Sequence, residues 1–536
     1  MDNDSYIPKG LQFLIKTISQ YSSNTNKYMT TAGNNAVAPS QSFSVDFPQN
    51  SLVDLDSLTM CGRIASTSAV PSDFPPAECF IHAIEVKCGG QSIDRVDQYG
   101  DLFTTMRNIT STTANTSHRA IEAFDVDQIL LDQLPKPLRL GLATNVAAVQ
   151  AGDTLATWMV EFKAAICRIC GLYTAGIPTV IAPGATAAVV AWGVGEADGA
   201  ASIIAAFGES YVLIAAALGY TLAWTAVNVY AGDTTTGDRR VAFNLAIDDF
   251  YHQVVGVVKQ YLMGATHAAG FFSTPFAINT WLGFIGSNSH RLIDTSTMPK
   301  ITLEITMAPS AVIGSATAVY TIAANSLYFT LKSIQFPKYQ QMLYAALGSS
   351  IPIRYNYTKW INLSRTLGTA DTTLSYQMSA RNLKRILYTQ KASTFQTRAV
   401  NRYEQGITPY FTFARGASDG MWWTIDNVHK PQYHIDLVNH GYHHLLLALG
   451  KNGDTTYDNL IENRYQFNNT KFLSAVDFCY MGDDKGVVSG LDTGNTQVSI
   501  SVNFDTAVGT ASFAYFFHEL GAELQITEGK QVRSAY

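Results

Sequence analysis

The chain of 536 residues predicts an all-β fold with short helices, arranged as two tandem β-sandwiches. Three observations carry this. Strand-like runs recur at roughly 8–15-residue spacing with turn residues between them, and long helical patterns are few. The length exceeds one ordinary domain. The same order of alternating runs also restarts past the middle, although no identity-level internal repeat is present.

Residues 1–42 read as an N-terminal arm. Within it, GLQFLIKTI at 10–18 suits one or two amphipathic helical turns, and the polar, turn-rich remainder has no periodic core face. Such an arm is either frayed or ordered by a partner. Strand signals begin at Phe43. In the run after Pro48, Val53 and Leu55 alternate with Asp54 and Asp56, and Leu58 and Met60 resume the period after a slip. Residues 80–87 place Phe80, His82, Ile84 and Val86 on one face and Ile81, Ala83, Glu85 and Lys87 on the other. Gly89-Gly90 then turns the chain, because glycine enters positive φ without steric cost. Beyond it Ile93, Val96, Tyr99, Leu102 and Phe103 fall at helix-like spacing, which predicts a change of period there. Residues 107–137 read as loop-rich and partly helical.

Residues 151–230 are dominated by Ala, Gly, Val, Ile and Thr. The stretch 211–230, YVLIAAALGYTLAWTAVNVY, is long enough on paper to cross a bilayer. Its acidic flanks, Glu209 and Asp233, and the absence of a Lys/Arg asymmetry argue instead for buried strands and an inserted loop region projecting from the first sandwich. Residues 241–259 read as mixed strand and helix, and 301–307, ITLEITM, alternate cleanly. The first sandwich is therefore expected over 43–309, with its insert at about 151–230, and the second over 310–536. In the second half, 320–336 give two alternating runs and 337–348 a short helix ending at Gly348. Ile353, Tyr355 and Tyr357 share one strand face with Trp360 beyond, and alternating runs close the chain. SARNLKRILYTQK reads as a helical turn running into a strand.

Hydrophobic residues make up 47% of the chain and charged residues 15%, against about a quarter charged in ordinary domains. That leaves ample core material and a surface poor in charge, as expected where other subunits cover it. The net charge of −6 and the lack of basic runs exclude a nucleic-acid-coating role. Six scattered cysteines (Cys61, Cys79, Cys88, Cys167, Cys170 and Cys479) fit a reducing compartment. The opening MDNDSYIPKG has no basic n-region, so no secretory signal is expected. Six N-x-Ser/Thr sequons stand at Asn3, Asn108, Asn115, Asn356, Asn362 and Asn468; without secretion they are not expected to carry glycans.

No motif survives as a reaction centre. Gly416, Ser418 and Gly420 fit the G-x-S-x-G nucleophile elbow, but the following MWWTIDNVHKPQYHI does not read as the helix that elbow needs. His429, His434, His440, His443 and His444 crowd five of 11 histidines into one stretch. Read as a strand, His440 and His444 share a face and His443 points away, so no ligand set converges. They read instead as interface or half-buried groups able to make assembly pH-sensitive. Cys167 and Cys170 form a lone CxxC whose thiols point to opposite sides of a strand. Gly193, Gly195 and Gly199 miss the dinucleotide fingerprint, since Asp198 holds the third glycine's place. The expected catalytic, cofactor and metal residues are therefore none.

Certain segments resemble a known family. The order of a strand followed by Gly89-Gly90-Gln91-x-Ile93, of SARNLKRILYTQ at 379–390 and of SGLDT at 489–493 is similar to double jelly-roll major capsid proteins of tailless icosahedral DNA viruses, of the virophage and Polinton-like virus type. The resemblance spans about residues 43–530 and departs at the apolar insert. It implies two upright eight-stranded jelly rolls per chain and a homotrimeric, pseudo-hexagonal capsomer that tiles an icosahedral shell in the virion. It also implies neighbouring capsomers, penton proteins and minor capsid proteins as partners. In some relatives the inner face lies over a membrane, which makes the 10–18 segment a candidate for lipid contact. The competing classes are a β-sandwich hydrolase and a carbohydrate-binding surface or spike protein.

Overall fold

In the computed structural model the described residues are 22–66 (except 33), 74–112, 266–313 (except 269, 270 and 291), 319–348 (except 336), 352–393, 409–479 (except 462), 490–492 and 498–535 (except 528 and 529), with a few isolated positions between 119 and 169. The arm segment 10–18, nearly all of the 151–230 insert and residues 241–259 lie outside them.

The first sandwich joins two antiparallel sheets. One contains β1 (Ser22–Met29), β3 (Leu52–Ser66), β7 (Phe271–Ile278) and β11 (Tyr328–Gln335) in the order β1-β11-β3-β7. The short strands β6 (Thr266–Ala268), β8 (Leu292–Asp294) and β10 (Tyr320–Ile322) flank them. The other sheet runs β2-β9-β4-β5, with β2 at Ser42–Asp46, β4 at Ile81–Cys88, β5 at Gln91–Asp97 and β9 at Ile301–Met307. The second sandwich repeats this plan. Strands β12 (Ile353–Leu367), β14 (Leu383–Ala392), β17 (Ser474–Asp477) and β19 (Ser512–Thr527) pair in the order β12-β19-β14-β17, with β20 (Gln531–Ala535) on β19. Strands β13 (Thr373–Met378), β15 (Gly420–Ile425), β16 (Val428–Asp436) and β18 (Val498–Phe504) pair in the order β13-β18-β15-β16.

Numbering the eight principal strands of each half from one to eight gives the same two sheets twice, 1-8-3-6 and 2-7-4-5. That order is the jelly roll, so the chain is a double jelly roll. The cores follow from side-chain alternation. In β9, Ile301, Leu303, Ile305 and Met307 are buried while Thr302, Glu304 and Thr306 are half-exposed. In β19 the same alternation persists to Ile526.

The pairing corrects the expected boundaries. Residues 22–29, assigned to the arm, are β1, and its partner β11 lies beyond 309. The first sandwich therefore needs both ends of a longer segment, 22–335, because its outer strand and its last strand are hydrogen-bonded neighbours. Residues 91–97 are a strand hairpinned onto β4 through Gly89 and Gly90, both at positive φ. The period changes later, at Gln98, where the backbone turns left-handed before the helix Tyr99–Thr110. The slip in β3 is a bulge. Lys332 pairs with Asp54 and Thr330 with Thr59, and the extra residues are held by Ser57, whose hydroxyl donates to Asp54 O at 2.6 Å and accepts from Lys332 N–H at 2.8 Å. Residues 383–392 are strand throughout. Their alternation is hidden because Ile386 to Lys391 are buried on both faces.

The helix Tyr99–Thr110 explains how the halves join. Ten of its twelve residues are buried, since one side packs on the first sandwich and the other on the second. Gly100 permits the approach: a Cβ there would sit 2.9 Å from Cys79 O and 3.2 Å from Phe411 Cε1. A Gly100→Ala variant gains about 1 kcal/mol of helix propensity but overpacks the junction by about 1–3 kcal/mol. We expect a net loss of stability in urea titration, and a stabilised variant would contradict this packing.

Candidate functional site

The junction between the sandwiches holds the most unusual chemistry in the described chain. Lys391, near the end of β14, has a fully buried side chain, and its Nζ donates to Asp101 Oδ1 at 2.6 Å. Asp101 lies in the first turn of the Tyr99–Thr110 helix, where a carboxylate is favoured by the helix dipole. The ammonium sits 4.0 Å from the Tyr410 ring centroid, with Tyr515, Phe413 and Phe411 at 5.1, 5.4 and 5.5 Å. Burial pulls the Lys391 pKa down, and the Asp101 charge opposes that shift. The pair ties the helix of one sandwich to a strand of the other.

Further contacts cross the same junction. Asn108 O accepts from Leu460 N–H at 3.1 Å, and Ile109 O accepts from the Tyr457 hydroxyl. Tyr357 of β12 donates to Ile93 O at 3.0 Å and meets Phe284 edge-on at 5.1 Å. Beside Phe284, Asp94 of β5 is 3% exposed. Its Oδ2 accepts from Phe284 N–H at 2.7 Å, while Oδ1 finds no hydrogen-bond partner among the described residues. Burial raises the Asp94 carboxyl to about 6, against the downward pull of the Phe284 N–H and of the Lys359 charge.

The residues singled out in the sequence fall elsewhere. Ser418 is 2% exposed, and its hydroxyl donates to Gly420 O at 2.8 Å and accepts from Thr506 N–H at 3.3 Å. It holds a turn closed. The histidines 440, 443 and 444 are not on a strand. His440 precedes the helix Gly441–Ala448, which carries His443 and His444. The run after Trp423 turns at Asp426-Asn427, both at positive φ, into β16, so His429 and His434 lie on a hairpin. Their rings lie parallel to that of Trp422, at 6.2 and 4.0 Å between centroids, and His434 Nδ1 lies 2.7 Å from Asp505 Oδ1. Among the described residues no three His, Cys, Asp or Glu side chains are grouped to hold a metal. Cys167, Cys170 and the glycines 193–199 lie outside the described residues. Cys79 and Cys88 are buried thiols, both with pKa raised by desolvation. The sequon at Asn108 is buried in the junction helix. No described helix is long and apolar enough to cross a membrane.

Sequence reasoning missed Lys391, Asp101 and Asp94. A lysine in a strand reads as a solvated end, and each aspartate sits where alternation allows an exposed side chain. Only the apposition of two distant segments buries them.

No family model matches the chain, and no curated protein matches it. Among solved structures, the chain is similar to the PBCV-1 virus capsid, at 10% identity over 97% of both chains with a TM-score of 0.47. It is similar to the mavirus major capsid protein at 8% identity, over 96% of this chain and 90% of that one, with a TM-score of 0.43. It is also similar to the Faustovirus major capsid protein at 7% identity, over 98% and 92%, with a TM-score of 0.49. The assignment of the fold itself rests on the strand order and register given above.

Proposed function

We propose that the chain is a structural major capsid protein, and that three copies form a pseudo-hexagonal capsomer that tiles an icosahedral shell. One observation carries the reading: the same eight-strand order occurs twice in one polypeptide, in two sandwiches locked side by side. A trimer of such chains presents six similar sandwiches, which can occupy a hexagonal lattice with only three-fold true symmetry. The low charge of the chain supports extensive coverage by like subunits. In this reading the function is mechanical and no residue is catalytic. The partners are further copies of the capsomer, with penton and minor capsid proteins closing the shell, and the protein resides in the virion.

The hydrolase alternative loses its nucleophile, since Ser418 is buried and both of its hydrogen bonds are spent on the fold. Mass photometry of the purified chain tests the proposal. A species near three times 58.4 kDa, or larger closed particles, is expected, and a stable monomer at micromolar concentration would overturn it.

A further inference from the structure

Lys391 and Asp101 are placed for a reaction as well as for an ion pair. Their side chains are 0 and 7% exposed, and each is carried on a rigid element. Lys391 is held in β14, where it pairs with Phe513 of β19. Asp101 is held in the first turn of the Tyr99–Thr110 helix, and its carbonyl accepts from the Thr105 hydroxyl at 2.9 Å. The amine nitrogen stands 2.6 Å from Asp101 Oδ1, and the carboxyl carbon is one covalent bond beyond that oxygen. Such a placement is close to a near-attack pair, for which the reacting atoms are about 3–3.5 Å apart. The rings of Tyr410, Tyr515, Phe413 and Phe411 surround the amine. An apolar surround penalises both charged forms. Passing one proton along the hydrogen bond leaves a neutral amine facing a carboxylic acid. Burial pulls the lysine pKa down in the same sense, against the Asp101 charge, and a desolvated neutral lysine is a nucleophile.

We propose that Lys391 and Asp101 condense into an intramolecular isopeptide bond that welds the first jelly roll to the second. The lone pair of Nζ adds to Cγ of the acid, forming the C–N bond while the carbonyl π pair moves onto oxygen. The positive end of the helix dipole, in whose first turn Asp101 lies, stabilises that oxyanion. The intermediate then collapses with cleavage of its C–OH bond. The hydroxyl takes one proton from nitrogen and leaves as water, and Nζ keeps one hydrogen in the secondary amide. No oxidant, reductant or co-reactant enters the balance. In water hydrolysis wins over this condensation, but here the partners are held in contact and apolar rings take the place of solvent. The ion pair is the state of the newly folded chain, and the amide is the state of the aged one. The bond closes a covalent loop between residues 290 apart in sequence, so the sandwiches stay joined when the noncovalent contacts of the junction open. This inference does not depend on the capsomer reading.

Mass spectrometry of the full-length wild-type chain, before and after prolonged incubation at neutral pH, tests the proposal. The incubated chain is expected to be lighter than its sequence mass by one water molecule. Its tryptic digest should contain a branched peptide joining residues 96–107 to residues 386–398, uncut after Lys391. The Lys391→Met variant should keep its full mass. A wild-type chain that is folded by circular dichroism and keeps its full sequence mass would overturn the proposal without any variant being needed. So would a loss of water without the branched peptide, which signals a cyclised aspartate elsewhere, or a loss that persists in Lys391→Met.

Discussion

Replacing Lys391 with methionine is expected to lower the unfolding free energy by about 3–5 kcal/mol, because it strands the Asp101 carboxylate in a dry junction. The native pair is worth far less than that figure. Burying both charges costs desolvation, which the 2.6 Å ion pair and the aromatic rings around the ammonium offset. A Lys391→Met/Asp101→Leu double variant should therefore recover most of the loss. Denaturant titration of the three proteins forms the cycle. If the single variant lost less than about 1 kcal/mol, the pair would not be the dry tie described here. The expected consequence is local as well as global, since the pair joins the junction helix to β14. Amide exchange should quicken first in residues 99–110.

Asp94→Asn is expected to change the pH dependence of stability by about 3 kcal/mol, from a carboxyl raised from 3.8 to about 6 at about 1.36 kcal/mol per unit. The folded carboxyl holds its proton more tightly than the unfolded one. Between these two values the native state therefore binds more protons, and stability falls as pH rises from about 4 to about 6. Above that window wild type carries the full cost of a buried, half-satisfied carboxylate. The asparagine carbonyl can still accept from Phe284 N–H, but its amide nitrogen meets the same unpartnered site as Oδ1, at a cost of about 1–2 kcal/mol. The variant should be more stable than wild type at neutral pH and lose that advantage in acid. His518 titrates oppositely. It is buried between Tyr376 Oη at 2.8 Å and Ile361 O at 2.7 Å, and desolvation lowers it to about 4. Its contribution is present above its unfolded value and fades as pH falls. It is common to both proteins and cancels in their difference. A parallel pair of stability–pH curves would contradict the buried state of Asp94.

The architecture was largely legible because a sandwich writes itself as alternation. ITLEITM, the Gly89-Gly90 turn and the slip at Leu55–Leu58 each reported a local backbone fact that the folded chain keeps. The boundaries were not legible, because β1 and β11 are neighbours only after some 300 residues of intervening chain fold (register Ser22 with Gln335). Nothing near Ser22 announces that partner. Strand β14 shows a second limit: burial on both faces erases the alternation that identifies a strand. The His440–His444 stretch shows a third. Five residues carry too little periodicity to separate a helix from a strand. Junction charges such as Lys391 belong to no local pattern at all.

Low-resolution electron microscopy of the purified assembly tests the central claim most directly. Class averages showing a three-fold particle with six similar lobes around its rim are expected, each lobe a sandwich. Averages showing isolated two-lobed particles, or a ring without three-fold symmetry, would contradict the claim that these paired jelly rolls exist to be joined to copies of themselves.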